Sequence, residues 1–321
     1  MVHALASGVI SAPVTPFRED MSIDWQTLDS YMGQIAEAGV SAIAVNLVAT
    51  EGGSLSEAER LESVTRTKAA AGGACPVISG VIASYTDGAV ETAKRLVDAG
   101  ADALVVFPAL PVFASKPLPI DVIVDYHRAV AEATDKPILG FQTSNVEYPR
   151  GTVAALSDIP NLVAVKDAGF NIEKTAEMVD EVAGAKRKIG LMTGNDTFIL
   201  EALLLGCDGA LIGYAGTATA ELIRMQRLAA VGKATEAYEI WYNLGPLARF
   251  IWSAPLRDFR PRMKYVLYRQ GVIPNYKTRA PQPEISAHDR KIIDQIMDKH
   301  GLDDEIYMPA GRRHAQQRSA S

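Results

Sequence analysis

Eight short apolar runs, each followed by a helix-like segment, constrain this chain more than any other feature. They span 8–12, 41–45, 76–79, 103–107, 137–141, 162–165, 188–192 and 209–212. Each is apolar nearly throughout instead of alternating with polar residues. A strand that is apolar on both faces belongs in a parallel sheet covered by helices on both sides. Helical segments fit the gaps: Asp24–Ala38, with Asp24 as N-cap and Gly39 as stop, a capping-box-like start at Ser56-Glu-Ala-Glu59, Thr86–Ala99 and Pro119–Ala133. A short Thr152–Leu156 segment, Ile172–Val182, Asp196–Leu205 and Ala218–Ala230 complete the set. Eight β/α units at a spacing of roughly 20 to 35 residues predict an α/β fold, the closed (β/α)8 TIM barrel. An open doubly wound sheet is the alternative, but no GxGxxG follows the first run to support dinucleotide binding.

The alternation stops near residue 232. Residues 1–231 read as the barrel and 232–304 as a C-terminal helical extension, with helices at Ala234–Ile251, Pro261–Gln270 and His288–His300. Trp241, Tyr242, Phe250, Ile251 and Trp252 recur there at helical spacing, which predicts intramolecular core ahead of an interface. Residues 305–321 are polar and poor in apolar side chains, the composition of a disordered tail.

Composition excludes several function classes. A net charge of −6 on 321 residues gives no basic face for nucleic acid or an anionic membrane. No apolar run approaches the 18 or so residues of a membrane span, and the N-terminus lacks the pattern of a signal peptide. Cys75 and Cys207 form no disulfide framework, so a reducing, cytoplasmic setting is expected.

Barrel chemistry sits at the C-terminal ends of the strands. There the chain offers Asn46–Gly53, Ser79–Ser84, Phe107–Val112, Phe141–Asn145, Lys166, Thr193-Gly-Asn-Asp196 and Gly213-Tyr214. The histidines, at 3, 127, 288, 300 and 314, lie elsewhere and show no metal-ligand spacing, so neither a metal nor a cofactor is expected. Lys166 stands out because it ends the apolar run Leu162–Val165. Desolvation there disfavours the ammonium and frees the amine to attack a carbonyl. A plain surface lysine paired with Asp167 is the competing reading of these residues alone.

The rim residues resemble one family, the dihydrodipicolinate synthase / N-acetylneuraminate lyase group of Schiff-base-forming barrels, over nearly all of residues 7–300. The likeness rests on Val14-Thr-Pro-Phe17 with Ile23-Asp24, Glu51 before Ser54-Leu55-Ser56, Val165-Lys166-Asp167, Thr193-Gly-Asn-Asp196, and the spacing of Gly206, Gly209 and Gly213. The resemblance implies that Lys166 is the Schiff-base lysine, that the partners are a 2-oxo acid and an aldehyde, and that the chain forms a homo-oligomer, usually a tetramer.

Three departures accompany it. Where the family usually has Gly-Thr-Thr-Gly-Glu, this chain has Leu47-Val-Ala-Thr50-Glu51, so the hydroxyl pair becomes Val48-Ala49. Where the family has a proton-transferring tyrosine after the fifth strand, this chain has Phe141. After the fourth strand the paired tyrosines become Ala109-Leu110. The expected site is therefore Lys166 and Glu51 as catalytic groups. Ala49, Thr50, Phe141, Gln142, Thr143, Gly194, Asn195, Ile212 and Tyr214 are the expected substrate contacts, with the Thr50 hydroxyl and the Ala49 and Thr50 N–H groups on the carboxylate. Glu51 has a structural alternative, a buried carboxylate accepting backbone N–H bonds. Phe141, Val48 and the Ala109–Phe113 stretch predict a less polar pocket than a sugar acid needs. That favours aldol cleavage or condensation of pyruvate with an apolar aldehyde. A 2-keto-3-deoxy sugar-acid dehydratase and a non-catalytic 2-oxo-acid-binding protein are the alternatives.

Overall fold

The eight runs become the eight strands of a closed parallel barrel in a computed structural model of the chain, which describes residues 5–109 and 118–303. The strands are β1 (Gly8–Ser11), β2 (Ala42–Val45), β3 (Val77–Val81), β4 (Ala103–Val106), β5 (Ile138–Thr143), β6 (Leu162–Ala168), β7 (Gly190–Thr193) and β8 (Gly209–Ile212). Each pairs with the next, and β1 closes on β8 through Gly8 opposite Gly209 and Ser11 opposite Ile212.

Alternation of side chains explains why the runs are apolar throughout. Ile10, Ala42, Ala44, Val105 and Leu139 fill the barrel interior, while their neighbours Val9, Ile43, Val45, Leu104 and Val106 pack outward under the helices. Both faces are dry, so an unpartnered polar residue on either is costly.

The covering helices include α1 (Trp25–Glu37), α2 (Glu57–Ala71), α3 (Thr86–Asp98), α4 (Ile120–Glu132), α5 (Thr152–Leu156), α6 (Ile172–Ala183), α7 (Ile199–Leu205) and α8 (Thr219–Ala230). Asp24 caps α1 by accepting the Thr27 N–H. The capping box before α2 forms as expected, Ser56 accepting the Glu59 N–H and Glu59 the Ser56 N–H. Several boundaries differ from expectation by one to three residues, and two of the differences bear on the site. Strand β6 continues three residues past Val165, because its ladder with β5 runs on through Lys166, Asp167 and Ala168. Helix α7 begins at Ile199 and not at Asp196, because Asp196 is held by the loop after β8.

The C-terminal extension comprises α9 (Ala234–Ile251), α10 (Phe259–Arg269) and α11 (Ala287–His300). It is tied across the C-terminal mouth of the barrel. Arg260 Nε donates to the Val48 carbonyl at 2.8 Å, and Asn275 Nδ2 to the Phe17 carbonyl at 3.0 Å. Arg279 donates to the Met21 carbonyl and meets Glu59 at 2.5 Å, which holds the Glu59 carboxyl down at about 2. Trp241, Ile251 and Trp252 are buried within the chain, whereas Tyr242 is exposed. Cys75 and Cys207 are free and buried. Among the described residues no helix is long and apolar enough to cross a membrane. The stretch 110–113 and the tail 305–321, on which two expectations rested, lie outside the described residues.

Candidate active site

Strand parity decides where Lys166 goes. Ala164 and Ala168 point into the barrel, so Lys166 between them does too, while Asp167 points out under α6. Lys166 is only 7% exposed. Its ammonium lies 4.5 Å from the centre of the Phe141 ring, which β5 presents directly opposite in register. Room for the side chain comes from β7: a Cβ on Gly194 would stand 2.4 Å from Lys166 Cε.

Asp167 is not an ion-pair partner for this amine. Fully buried, it accepts from Thr175 Oγ1 at 2.6 Å, Gln142 Nε2 and Asn195 Nδ2 at 2.9 Å, and the Gly169 N–H at 3.0 Å. Four donors satisfy the carboxylate behind the strand. That network clamps β6 between β5 and β7 and excludes the surface-lysine reading.

Lys166 opens into a cleft of about 270 Å³. Its walls are mainly aromatic: Phe107 and Phe141 meet edge to face at 4.8 Å, and Trp252 and Phe259 stack at 5.5 Å. Val48, Val146 and Leu256 add aliphatic surface, and Thr143, Ser144 and Asn145 supply a polar edge. Phe170 also lines the cleft, from a left-handed backbone (φ 52°) held by its N–H donating to Asn195 Oδ1 at 2.7 Å. A bulky residue there costs about 1–3 kcal/mol in conformational strain, a form of strain that clusters at functional sites.

Asp196 is the one carboxyl among the described residues lining the cleft. It is buried, and its Oδ1 accepts the Tyr214 N–H at 2.8 Å. Burial lowers the Lys166 pKa, with Asp196 and then Asp167 pulling it partly back. Burial raises that of Asp196, opposed by the Tyr214 N–H and by Lys166. Both shifts move the groups toward their uncharged forms.

Of the expected contacts, Ala49, Phe141, Thr143 and Gly194 line the cleft with Lys166. The others do not, each for a physical reason. The Thr50 hydroxyl is turned into its own loop, accepting the Leu47 N–H at 2.6 Å, so it is not free for a substrate carboxylate. Glu51 sits on left-handed backbone (φ 61°) that aims its carboxylate away from the cleft, 2.6 Å from Lys264 Nζ. Gln142 and Asn195 are spent on Asp167, one layer behind the surface. Ile212 faces the helices, and Tyr214 donates its hydroxyl to the Leu244 carbonyl.

Sequence reasoning missed Asp196, which it assigned to the start of a helix, and the roof residues Trp252, Leu256 and Phe259. The position of Gly194-Asn-Asp196 at a strand end was a signal for the first. Nothing local signals the roof, which arrives from a separate stretch of chain. Among the described residues no group of three or more His, Cys, Asp or Glu could hold a metal ion.

Comparison with known proteins follows the same geometry. The sequence model of the dihydrodipicolinate synthetase family matches residues 5–300. A curated relative, the 4-hydroxy-tetrahydrodipicolinate synthase of Cellvibrio japonicus, is 29% identical over 304 residues, covering 93% of this chain and all of its own. Among solved structures, dihydrodipicolinate synthase from Cyanidioschyzon merolae with lysine bound is 27% identical with a TM-score of 0.82, covering 92% of this chain and 99% of its own. The chloride-inhibited enzyme from Acinetobacter baumannii complexed with pyruvate shares the fold at a TM-score of 0.83 and 24% identity, over 92% of this chain and 99% of its own.

Proposed function

The chain belongs to the dihydrodipicolinate synthetase family, and from that premise we propose that it is a Schiff-base lyase joining pyruvate to an uncharged, apolar aldehyde, or cleaving the product. One observation carries the reading: a desolvated amine, Lys166, opens into an aromatic-walled cleft containing no second cation among its described residues.

The Lys166 amine attacks the ketone carbon of the 2-oxo acid, and loss of water gives an imine. The protonated imine withdraws electrons, so a proton leaves C3 and an enamine forms. Enamine C3 then adds to the aldehyde carbon, and water releases the product from the lysine. Among the described residues the Ala49 N–H donates to no protein acceptor, and it lines the cleft beside Lys166. A backbone donor there holds the carboxylate without a positive charge, as convergent N–H groups do.

The second substrate meets Phe107, Trp252, Leu256 and Phe259. A carboxylate or polyol at that end leaves its hydration unreplaced, a cost of several kcal/mol for a charge. A branched or aromatic aldehyde suits these walls better than a sugar acid, which places the dehydratase reading second. The proposal includes a cytoplasmic homo-oligomer, on family resemblance. Light scattering at micromolar concentration should exceed the 34.5 kDa of one chain, and a monomer mass would remove the assembly.

The test is a panel of aldehydes with pyruvate, read as pyruvate consumed and condensation product formed. Aromatic and branched aliphatic aldehydes should react fastest. Faster reaction of aldehydes carrying a carboxylate would overturn the specificity.

A further inference from the structure

The departures from the family take away its proton-transferring tyrosine, since the phenyl ring of Phe141 cannot transfer a proton. Among the described lining residues the cleft holds no tyrosine, histidine, cysteine or glutamate. Residues 110–117, which follow β4 in sequence, are Leu-Pro-Val-Phe-Ala-Ser-Lys-Pro and add no carboxyl, phenol or imidazole. Glu51 is committed to Lys264, and Asp167 to four donors on the far side of β6.

We propose that Asp196 is the acid–base residue of this active site, carrying every proton that the missing tyrosine would otherwise move. This rests on Lys166 acting as the imine-forming nucleophile. Three features of the geometry support it. Asp196 and Lys166 line one cleft, from the adjoining ends of β7 and β6. The Tyr214 N–H holds one carboxyl oxygen at 2.8 Å, which orients the group at the cleft it lines. The two groups are not clamped together, for no ion pair between them falls within 4.0 Å.

One carboxyl and one proton from solvent close the balance. As Lys166 nitrogen adds to the ketone, the Asp196 carboxylate takes a proton from nitrogen. It returns that proton to the carbinolamine oxygen, and a second proton, drawn from solvent in the cleft, lets that oxygen leave as water and gives the iminium. The carboxylate next removes a proton from C3, forming the enamine and the carboxylic acid. When C3 adds to the aldehyde, the acid protonates the new alkoxide.

The experiment measures exchange of the pyruvate methyl protons in heavy water by NMR, divided by the fraction of enzyme trapped by borohydride. Asp196→Asn retains an acceptor for the Tyr214 N–H but cannot carry a proton. Exchange per trapped imine should fall by about 10²–10⁴-fold, the usual range for general acid–base groups. Asp196→Ala supplies an independent reading: added formate should restore exchange in a saturable way, and formamide should not. Exchange within threefold of wild type in the Asn variant, or no formate rescue in a folded Ala variant that still forms imine, overturns the assignment. If wild-type protein forms no imine with pyruvate, the failure lies with Lys166 and not with Asp196.

Discussion

Among the described residues two buried lysines lie against aromatic rings, and they illustrate what makes a buried amine reactive. Lys264 on α10 lies 4.1 Å from the Phe17 ring centre and is fully inaccessible, much as Lys166 lies 4.5 Å from Phe141. Burial pushes both pKa values down, and a carboxylate opposes the shift in each case. The difference is what the nitrogen has left to do. Lys264 Nζ is 2.6 Å from Glu51 and donates to the Lys277 carbonyl at 2.8 Å, with Arg260 pinning the same loop by its Val48 carbonyl. Lys166 touches no carboxylate within ion-pair distance and faces open space. Burial is common to both, so it does not by itself make a nucleophile. Unused valence beside a cavity does.

Substitution should separate the two sites cleanly. Lys166→Met should abolish imine trapping while leaving thermal stability at or above wild type, because it removes a buried charge that no carboxylate clamps within ion-pair distance. Retained trapping, read by mass after borohydride, would place the nucleophile elsewhere. Lys264→Met should do the opposite, costing about 3–5 kcal/mol in denaturant unfolding by stranding Glu51 in the interior. The double variant Lys264→Met, Glu51→Leu should recover most of that loss. No recovery would mean that Glu51 contributes something beyond its ion pair.

A smaller effect tests position and not charge. Gly194→Ala inserts a methyl group 2.4 Å from Lys166 Cε and must displace the amine. Misplacement of about 1 Å typically costs about 10²-fold in rate, so imine formation should slow by that order with the fold intact. An unchanged rate would show that Lys166 reaches substrate by another path.

The smallest effect concerns pH. Only the neutral amine attacks, and the Lys166 pKa is lowered to about 8 by burial. Imine formation should therefore rise roughly tenfold from pH 7 to 9 and level off, since the neutral fraction saturates above the pKa. An ordinary lysine would climb about a hundredfold over that interval without a plateau.

Much of this was legible in the chain, and the failures share one cause. Buried parallel strands cannot hide their apolar continuity, so all eight were found, together with Lys166 at the end of the sixth. The Phe141 ring lies against that lysine as the register of the fifth and sixth strands requires. Capping chemistry placed the starts of α1 and α2. Glu51, by contrast, reads as either a catalytic group or a buried carboxylate held by backbone N–H groups, because its partner Lys264 is remote in sequence and arrives with the C-terminal extension. Thr50 looked available because a hydroxyl that folds back onto Leu47 has no local signature. Asp196 reads as a helix start, since the Tyr214 N–H that holds it belongs to the loop after β8. The roof of Trp252, Leu256 and Phe259 likewise depends on how the extension crosses the barrel mouth. Pattern reports which face of an element is dry, but not what another segment brings to it.

The most direct measurement is peptide mapping after borohydride reduction of the protein with pyruvate. The account predicts one reduced adduct per chain, carried by Lys166, with Lys264 unmodified despite its deeper burial. An adduct on Lys264, or none at all with native protein, would contradict the claim that spare valence beside the cleft selects the nucleophile.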